Sequence, residues 1–361
     1  MPEISIVCPS YNHEKYVSAF IDSLLKQTMD DWELIIIDDC STDKTAEKIK
    51  ALQDKRIRFV EHDFNRGVNY GVSEGIRLAK GKLISFTASD DMLYPEYMEN
   101  VLKAFEENKE ISVCYTPLKY MDENGNLTGK ILPLPHGKSE KDIFCDMFLK
   151  ENKLPSPGMV FKKSVLKKYL PLDAGVLQYS DYQMHLYLLY RHKIKMLETP
   201  LVLYRKVRGS ASNRSHGRIV REDAETDALM DTVALLIGHD KDSFLEYFGN
   251  HSLLQNVKVE AKTVPYWLGR LALTSSNPAK QKWGLKAVMN FISDGDNMAL
   301  LHQLYGFSFK NYLALANEVD TKCVASAYWG KKYKKKIKKL KYLVGISVLA
   351  FIICLSYIVL R

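Results

Sequence analysis

The sequence predicts an α/β fold on a mostly parallel sheet, followed by a helical region and an apolar C-terminal segment. Three patterns predict it. Short apolar runs alternate with helix-spaced segments through the first hundred residues, strand-like grouping is lost after residue 219, and residues 342–360 form an uncharged, predominantly apolar run. Strands separated by helices imply a sheet covered on both faces, with ligands in the crevice at the strands' carboxyl ends.

The elements follow in order. Ile4 to Cys8 reads as a strand, and Val17, Phe20, Ile21, Leu24 and Leu25 fall on one helical face. Leu34 to Ile37 is a second strand, followed by a polar stretch from Ser41 to Gln53, a strand at Ile57 to Val60, a helix from Val68 to Lys80 and a strand at Leu83 to Phe86. Pro95 suits the first turn of a helix reaching about Asn108, and Ser112 to Tyr115 is strand-like. Asp122 to Asn126 (DENGN) predicts a hairpin turn, because Asn-Gly accepts positive φ. Residues 131–160, rich in Pro and Gly, read as a long loop around one short helix; Ser180 to His192 resumes a helix, and Ile194 to Arg205 reads as extended. From Ile219 to Ala327 the pattern is mostly helical.

Composition narrows the function. The net charge of +8 comes from the tail: without the eight lysines of residues 331–341 (KKYKKKIKKLK) and Arg361, 42 bases face 43 acids. A distributed basic surface for nucleic acid is therefore not expected. The six cysteines are scattered without a C-x-x-C pair, so neither zinc nor a disulfide framework is expected, and the opening MPEISIVCP, with no basic n-region or apolar h-region, gives no expectation of a signal peptide.

Residues just after each apolar run are the candidates for chemistry: Pro9-Ser10-Tyr11-Asn12, Asp38-Asp39, His62-Asp63 and Ser89-Asp90-Asp91. Either acidic pair alone is explained by a turn or a helix cap. Two such pairs in one crevice repel unless a cation or hydrogen-bond donors offset them. Oxygen ligands without His or Cys select Mg²⁺ or Mn²⁺, commonly shared with substrate phosphates, so a nucleoside diphosphate is implied. No phosphate-binding G-x-x-x-x-G-K-[ST] loop occurs, and PSYNHEKY lacks the glycines of a dinucleotide fingerprint.

The ordered segments ISIVCPSYNHEKYVSAFIDSLLKQT, WELIIIDDCSTDKT, NRGVNYGVSEGIRLAKGKLISFTASDDMLYPEYME, QYSDYQMHLYLLY and LVLYR resemble a family 2 glycosyltransferase of the GT-A fold, over roughly residues 3–214. That resemblance implies a Rossmann-like, mostly parallel sheet and an inverting sugar transfer from a nucleotide-diphosphate donor, a UDP-sugar, with Mn²⁺ or Mg²⁺ as cofactor. By the same resemblance Pro9 and Tyr11 line the base pocket, Asp39 meets the base, and Asp38 shares its motif. Asp90 and Asp91 match the D-x-D-type acids, Asp90 at ribose or metal and Asp91 at metal, with Ala88 where the family commonly has a further Asp. Val72-Ser73 replace a frequent Arg-Asn, which leaves Arg66 to supply charge to the diphosphate.

Asp181 matches the catalytic base, with Ser180 in place of a common Glu; its local alternative is a helix cap. Gly158 lies in a loop that the family places beside the acceptor. Val207 stands where a His often follows, so no His ligand is expected, and Arg205 and Arg208 are phosphate contacts or solvated. His13, His62, His136 and His185 are expected to be structural or on the surface.

The apolar run 342–360 would extend about 28 Å as a helix, enough to cross a bilayer core. Its lysine-rich flank favours the cytoplasmic side. The expected organisation is a GT-A domain at 1–215, a helical region at 216–330, a polybasic segment at 331–341 and a membrane helix at 342–360, with the catalytic domain anchored in the cytoplasm. A glycan or lipid-linked acceptor is the expected partner. The alternative is a catalytically impaired, membrane-tethered nucleotide-sugar or glycan-binding protein, in which Ala88 and Ser180 mark lost acids. A nucleotidyltransferase would need a triphosphate loop that PSYNHEKY does not provide.

Overall fold

The computed structural model describes residues 1–320 apart from 167, 168, 171, 173, 174, 178 and 208–218. The basic and apolar tail expected at 331–360 lies outside the described residues, and so does Arg208. Among the described residues no helix is long and apolar enough to cross a membrane. The chain forms two compact units, Met1–Val264 and Pro265–Arg361.

The first unit contains a seven-stranded sheet. Its strands are β1 (Ile4–Ser10), β2 (Trp32–Asp38), β3 (Ile57–Glu61), β4 (Leu83–Phe86), β6 (Ile111–Tyr115), β9 (Val160–Lys162) and β10 (Lys193–Met196). The spatial order is β10-β6-β9-β4-β1-β2-β3. β1 runs parallel to β2 and β4, β2 to β3 and β10 to β6, whereas β9 is antiparallel to both its neighbours. The mostly parallel sheet is thus a mixed sheet with one reversed strand. Central strands buried on both faces need unbroken apolar runs; Ile4, Ile6, Val7 and Cys8 of β1 and Leu34 to Ile37 of β2 are all almost fully buried.

Helices close both faces. α1 (Val17–Leu25) buries Val17, Phe20, Ile21 and Leu24, the i, i+3, i+4, i+7 stripe of a core-facing helix. α2 (Thr45–Lys50) follows β2, and α3 (Val68–Leu78) packs on β1 and β2. Gly75 sets that approach, since a Cβ there would stand 2.4 Å from Val7 Cγ1. α4 (Tyr97–Glu107) packs on β6.

A second sheet, order β5-β11-β7-β8, combines β5 (Met92–Leu93), β7 (Leu118–Met121), β8 (Leu127–Leu132) and β11 (Val202–Arg205). DENGN makes the predicted hairpin between β7 and β8, with Asp122 Oδ1 accepting from the amides of Asn124 and Asn126. Ile194 to Arg205 is not one extended segment. It splits into β10 and β11, which join different sheets, with Pro200 between them. The 131–160 region holds α5 (Glu140–Leu149), whose start is fixed by a Ser139–Asp142 capping box.

After the short α6 (Lys163–Leu166) comes α7 (Ser180–Arg191). α8 (Ile219–Ile237) packs on α7, and α9 (Lys241–Phe248) packs on α5 and α8, all within the first unit. In the second unit α10 (Val264–Ala272), α11 (Pro278–Ile292) and α12 (Asn297–Tyr305) surround Tyr266, Trp267 and Phe307. No strand occurs among the described residues after 219.

Candidate active site

Strand order reverses at β1, so the crevice opens outside the carboxyl ends of β1 and β4. Side chains lock the turns there. Asn12, at φ 55°, accepts from the Thr42 amide through Oδ1 and donates its own amide to Ser41 Oγ, tying the turn after β1 to the one after β2. Ser89 Oγ donates to Ser10 Oγ at 2.8 Å, and His13 Nδ1 lies 2.8 Å from the same Ser89 oxygen. His13 Nε2 stands 3.9 Å from Asp90 Oδ2. His13, expected to be structural or on the surface, therefore lies between the first turn and the acidic one.

Asp38 and Asp39 diverge in role. The Asp38 carboxylate is 1% exposed and accepts from both the amide and the hydroxyl of Ser41, at 2.8 and 2.6 Å. It builds the turn. Asp39 Oδ1 accepts from His62 Nδ1 at 2.8 Å and from the Arg66 amide at 2.7 Å, while Oδ2 accepts from the Gly67 amide at 2.9 Å. An ionised carboxylate offers about four acceptor positions. Asp39 thus holds the turn before α3 and retains one position on Oδ2.

His62 also reaches Glu74 Oε2 through Nε2 at 2.8 Å. A neutral imidazole donates from one nitrogen only, so two carboxylate partners call for the cation. Burial lowers its pKa, but the hydrogen bonds to Asp39 and Glu74 outweigh that and raise it. The raised folded-state pKa contributes stability that is full below the unfolded value of about 6.5 and is lost as pH rises through the folded pKa. The melting-temperature gap between the wild type and His62→Gln should therefore be larger at pH 6 than at pH 9. A gap independent of pH would remove the imidazolium from this account.

Tyr11 stands at the rim, 42% exposed, and Pro9 is partly buried at the end of β1. The Arg66 guanidinium lies between the Phe64 and Tyr70 rings, with Nη1 donating to the Tyr70 hydroxyl and a buried Nε that has no hydrogen-bond partner.

Asp91 is 1% exposed. Its Oδ1 accepts from the Arg205 amide at 2.9 Å, whereas Oδ2 is buried without a partner. Burial and the neighbouring Asp90 charge push its carboxyl well above the usual range, against the pull of the Arg205 amide and the Arg205 and Lys206 charges. An orphaned carboxylate oxygen beside a second acid is compatible with a hard divalent cation, which Asp90 and Asp91 would hold. Among the described residues no group of three or more His, Cys, Asp or Glu is gathered for a metal.

Arg205 departs from both expected roles. It is 6% exposed, donates through Nε to the Asp90 carbonyl at 2.7 Å and through Nη1 to the Asp122 and Glu123 carbonyls, and covers the Tyr16 ring. It is not solvated, and its Nε and Nη1 are spent on backbone carbonyls, while Nη2 stands 3.7 Å from Met92 Sδ.

Because β9 runs antiparallel to β4, the loop before β9 lies at the carboxyl end of β4. Gly158 donates its amide to the Phe86 carbonyl. Its φ is +75°, and a Cβ would stand 2.4 Å from Val202 Cγ2. The close approach that only glycine allows here is to the chain's own core. Ser156 is the loop residue that meets Asp181, donating Oγ–H to Oδ2 at 2.9 Å. Asp181 is the second residue of α7 rather than its cap. Burial raises its pKa, and the Ser156 hydroxyl and the amides of Tyr182 and Asp181 partly offset that. His185, expected to be structural or on the surface, is fully buried one turn further on, with Nε2 3.4 Å from Ser156 Oγ. His136, paired with Glu198, fits the surface role.

A crevice at the switch point of a mixed α/β sheet, with an acid pair after β4 and a separate carboxylate on a later helix, is the arrangement that the resemblance to family 2 glycosyltransferases implies. Residues 5–170 match the family model for Glycosyl transferase family 2. An uncharacterized glycosyltransferase of Methanocaldococcus jannaschii is 32% identical over 212 residues, covering 56% of this chain and 71% of that protein. The chain belongs to glycosyl transferase family 2, and it is a glycosyltransferase. The Escherichia coli UDP-Glc:alpha-D-GlcNAc-diphosphoundecaprenol beta-1,3-glucosyltransferase WfgD is 27% identical over 230 residues, 64% of this chain and 86% of that one. Among solved structures, S. aureus TarS 1-349 in complex with UDP-GlcNAc aligns with a TM-score of 0.55 at 16% identity, over 80% of this chain and 89% of that one. A mannosyltransferase from Pyrobaculum calidifontis, in complex with GDP-Man and Mn2+, aligns at 0.50 with 14% identity, over 91% and 87%. Both structures share the fold.

Proposed function

We propose that this glycosyltransferase moves a sugar from a UDP-sugar, with inversion, to a hydroxyl of a glycan or lipid-linked acceptor. The observation that carries the reading is the buried, unpartnered Oδ2 of Asp91 beside Asp90 in the crevice. Asp90 and Asp91 would hold Mn²⁺ or Mg²⁺, which would supply charge neutralisation for the diphosphate. Asp39, through its remaining acceptor position, and Tyr11 address the base, and Arg66 lends positive charge. Asp181 takes the proton of the acceptor hydroxyl as that oxygen attacks the anomeric carbon from the face opposite the diphosphate. The names of WfgD and of the TarS complex favour UDP and, for WfgD, a diphosphate-lipid acceptor.

Thermal shift against UDP, GDP and their sugars, each with Mn²⁺ or EDTA, tests this, because a ligand of the folded state raises its melting temperature. The largest shift is expected with a UDP-sugar and Mn²⁺. A GDP preference, or shifts identical in EDTA, would count against it. The basic and apolar tail would hold the enzyme at the cytoplasmic membrane surface, and flotation of the full-length chain against one ending at residue 330 checks that reading.

A further inference from the structure

Behind Asp181 runs a second polar chain. Ser156 Oγ donates to Asp181 Oδ2 at 2.9 Å and lies 3.4 Å from His185 Nε2, while His185 Nδ1 is 2.9 Å from the Tyr115 hydroxyl. A serine hydroxyl has one proton to give. Ser156 gives it to the carboxylate and so accepts from His185, which fixes the Nε2–H tautomer and leaves Nδ1 to accept from Tyr115. That assignment needs a neutral imidazole. Burial supplies it, lowering the His185 pKa to about 3. Tyr115 and His185 are both 0% exposed, and burial keeps the Tyr115 phenol protonated as a donor.

We propose that Tyr115, His185 and Ser156 form a one-way hydrogen-bond chain whose protons all point toward Asp181, holding that carboxylate ionised and aimed. They are positioning residues, and the inference rests on reading Asp181 as the base. Donors in series polarise one another, so the last hydroxyl is a stronger donor than an isolated serine. Among the described residues, Tyr115 from β6 and Tyr182 on α7 feel the Asp181 charge, and His185 on α7 reaches it through Ser156. Glu151 acts on both Tyr182 and the neighbouring Tyr179, and Glu222 and Glu225 of α8 act on Tyr179. No cation is a leading contributor to the Asp181 shift among the described residues. Among the described residues, what offsets burial at Asp181 is hydrogen bonding.

Infrared difference titration of the full-length protein, without nucleotide or acceptor, reads the Asp181 carboxyl directly, with Asp181→Asn identifying its band. Ser156→Ala should raise the Asp181 midpoint by about one pH unit, the scale of one lost hydrogen bond to a charged group. Tyr115→Phe, which removes only the hydroxyl at the far end, should raise it by less in the same direction, and Ser156→Thr should restore it. A midpoint unmoved in Tyr115→Phe would overturn the chain even if Ser156→Ala moves it, since the Ser156 hydroxyl alone would then explain the shift. A moved midpoint alongside a fully active Asp181→Asn would instead sink the base assignment and leave the chain standing.

Discussion

Asp181→Asn should lower sugar transfer by a factor of about 10² to 10⁴, the usual scale for losing a positioned base, while donor affinity stays within about threefold. The substitution is conservative in structure. The amide oxygen of Asn can still accept from the Ser156 hydroxyl and the first-turn amides that hold the carboxylate now, but it takes no proton. A structural Asp181 would therefore show a small kinetic effect, and a catalytic one a large effect in kcat with little in donor binding. The measurement is single-turnover release of nucleoside diphosphate with the preferred donor, together with NMR of the product anomer. Turnover near that of the wild type, or a retained anomeric configuration, would contradict the assignment.

The second large effect belongs to Asp91. Asp91→Asn keeps an acceptor for the Arg205 amide but removes the charge on the buried, unpartnered oxygen. Nucleotide affinity in Mn²⁺ should fall by about 10- to 100-fold, comparable to losses seen when a metal site is perturbed, and affinity in EDTA should not change. Stability moves the other way. A carboxyl whose folded pKa lies above its unfolded value destabilises the fold as pH rises through that range. Without metal at pH 7, Asp91→Asn should melt at or above the wild-type temperature. Equal loss of affinity in Mn²⁺ and EDTA would make Asp91 a structural acid.

The acids of this site were legible in the sequence because a strand end is a local feature. Apolar runs locate Asp38, Asp39, Asp90 and Asp91, and the α/β alternation places them in one crevice. What each acid does was not legible, because it depends on donors distant in the chain. Asp38 turns inward to Ser41, three of Asp39's acceptor positions go to His62 and the turn before α3, and Asp91 is left short of a partner. His62 stood among the strand-end residues, yet its pairing with Glu74 needs the helix that follows. His185 gave no signal of its own, since one turn of α7 and a loop some thirty residues earlier bring it to Ser156. The reversed β9 escaped detection because three residues after PSPG carry no periodicity, although that strand delivers the 155–159 loop to the crevice.

Arg205 makes the DENGN hairpin and the acid pair a single mechanical part, since one guanidinium grips the carbonyls of Asp122 and Glu123 on one side and of Asp90 on the other. Exposed hairpin tips are ordinarily where a protein tolerates an inserted tag or a lengthened loop. Here a residue added within Asp122–Asn126 would pull on the backbone that aims Asp90 and Asp91. A probe for labelling or immobilising this enzyme belongs elsewhere on its surface.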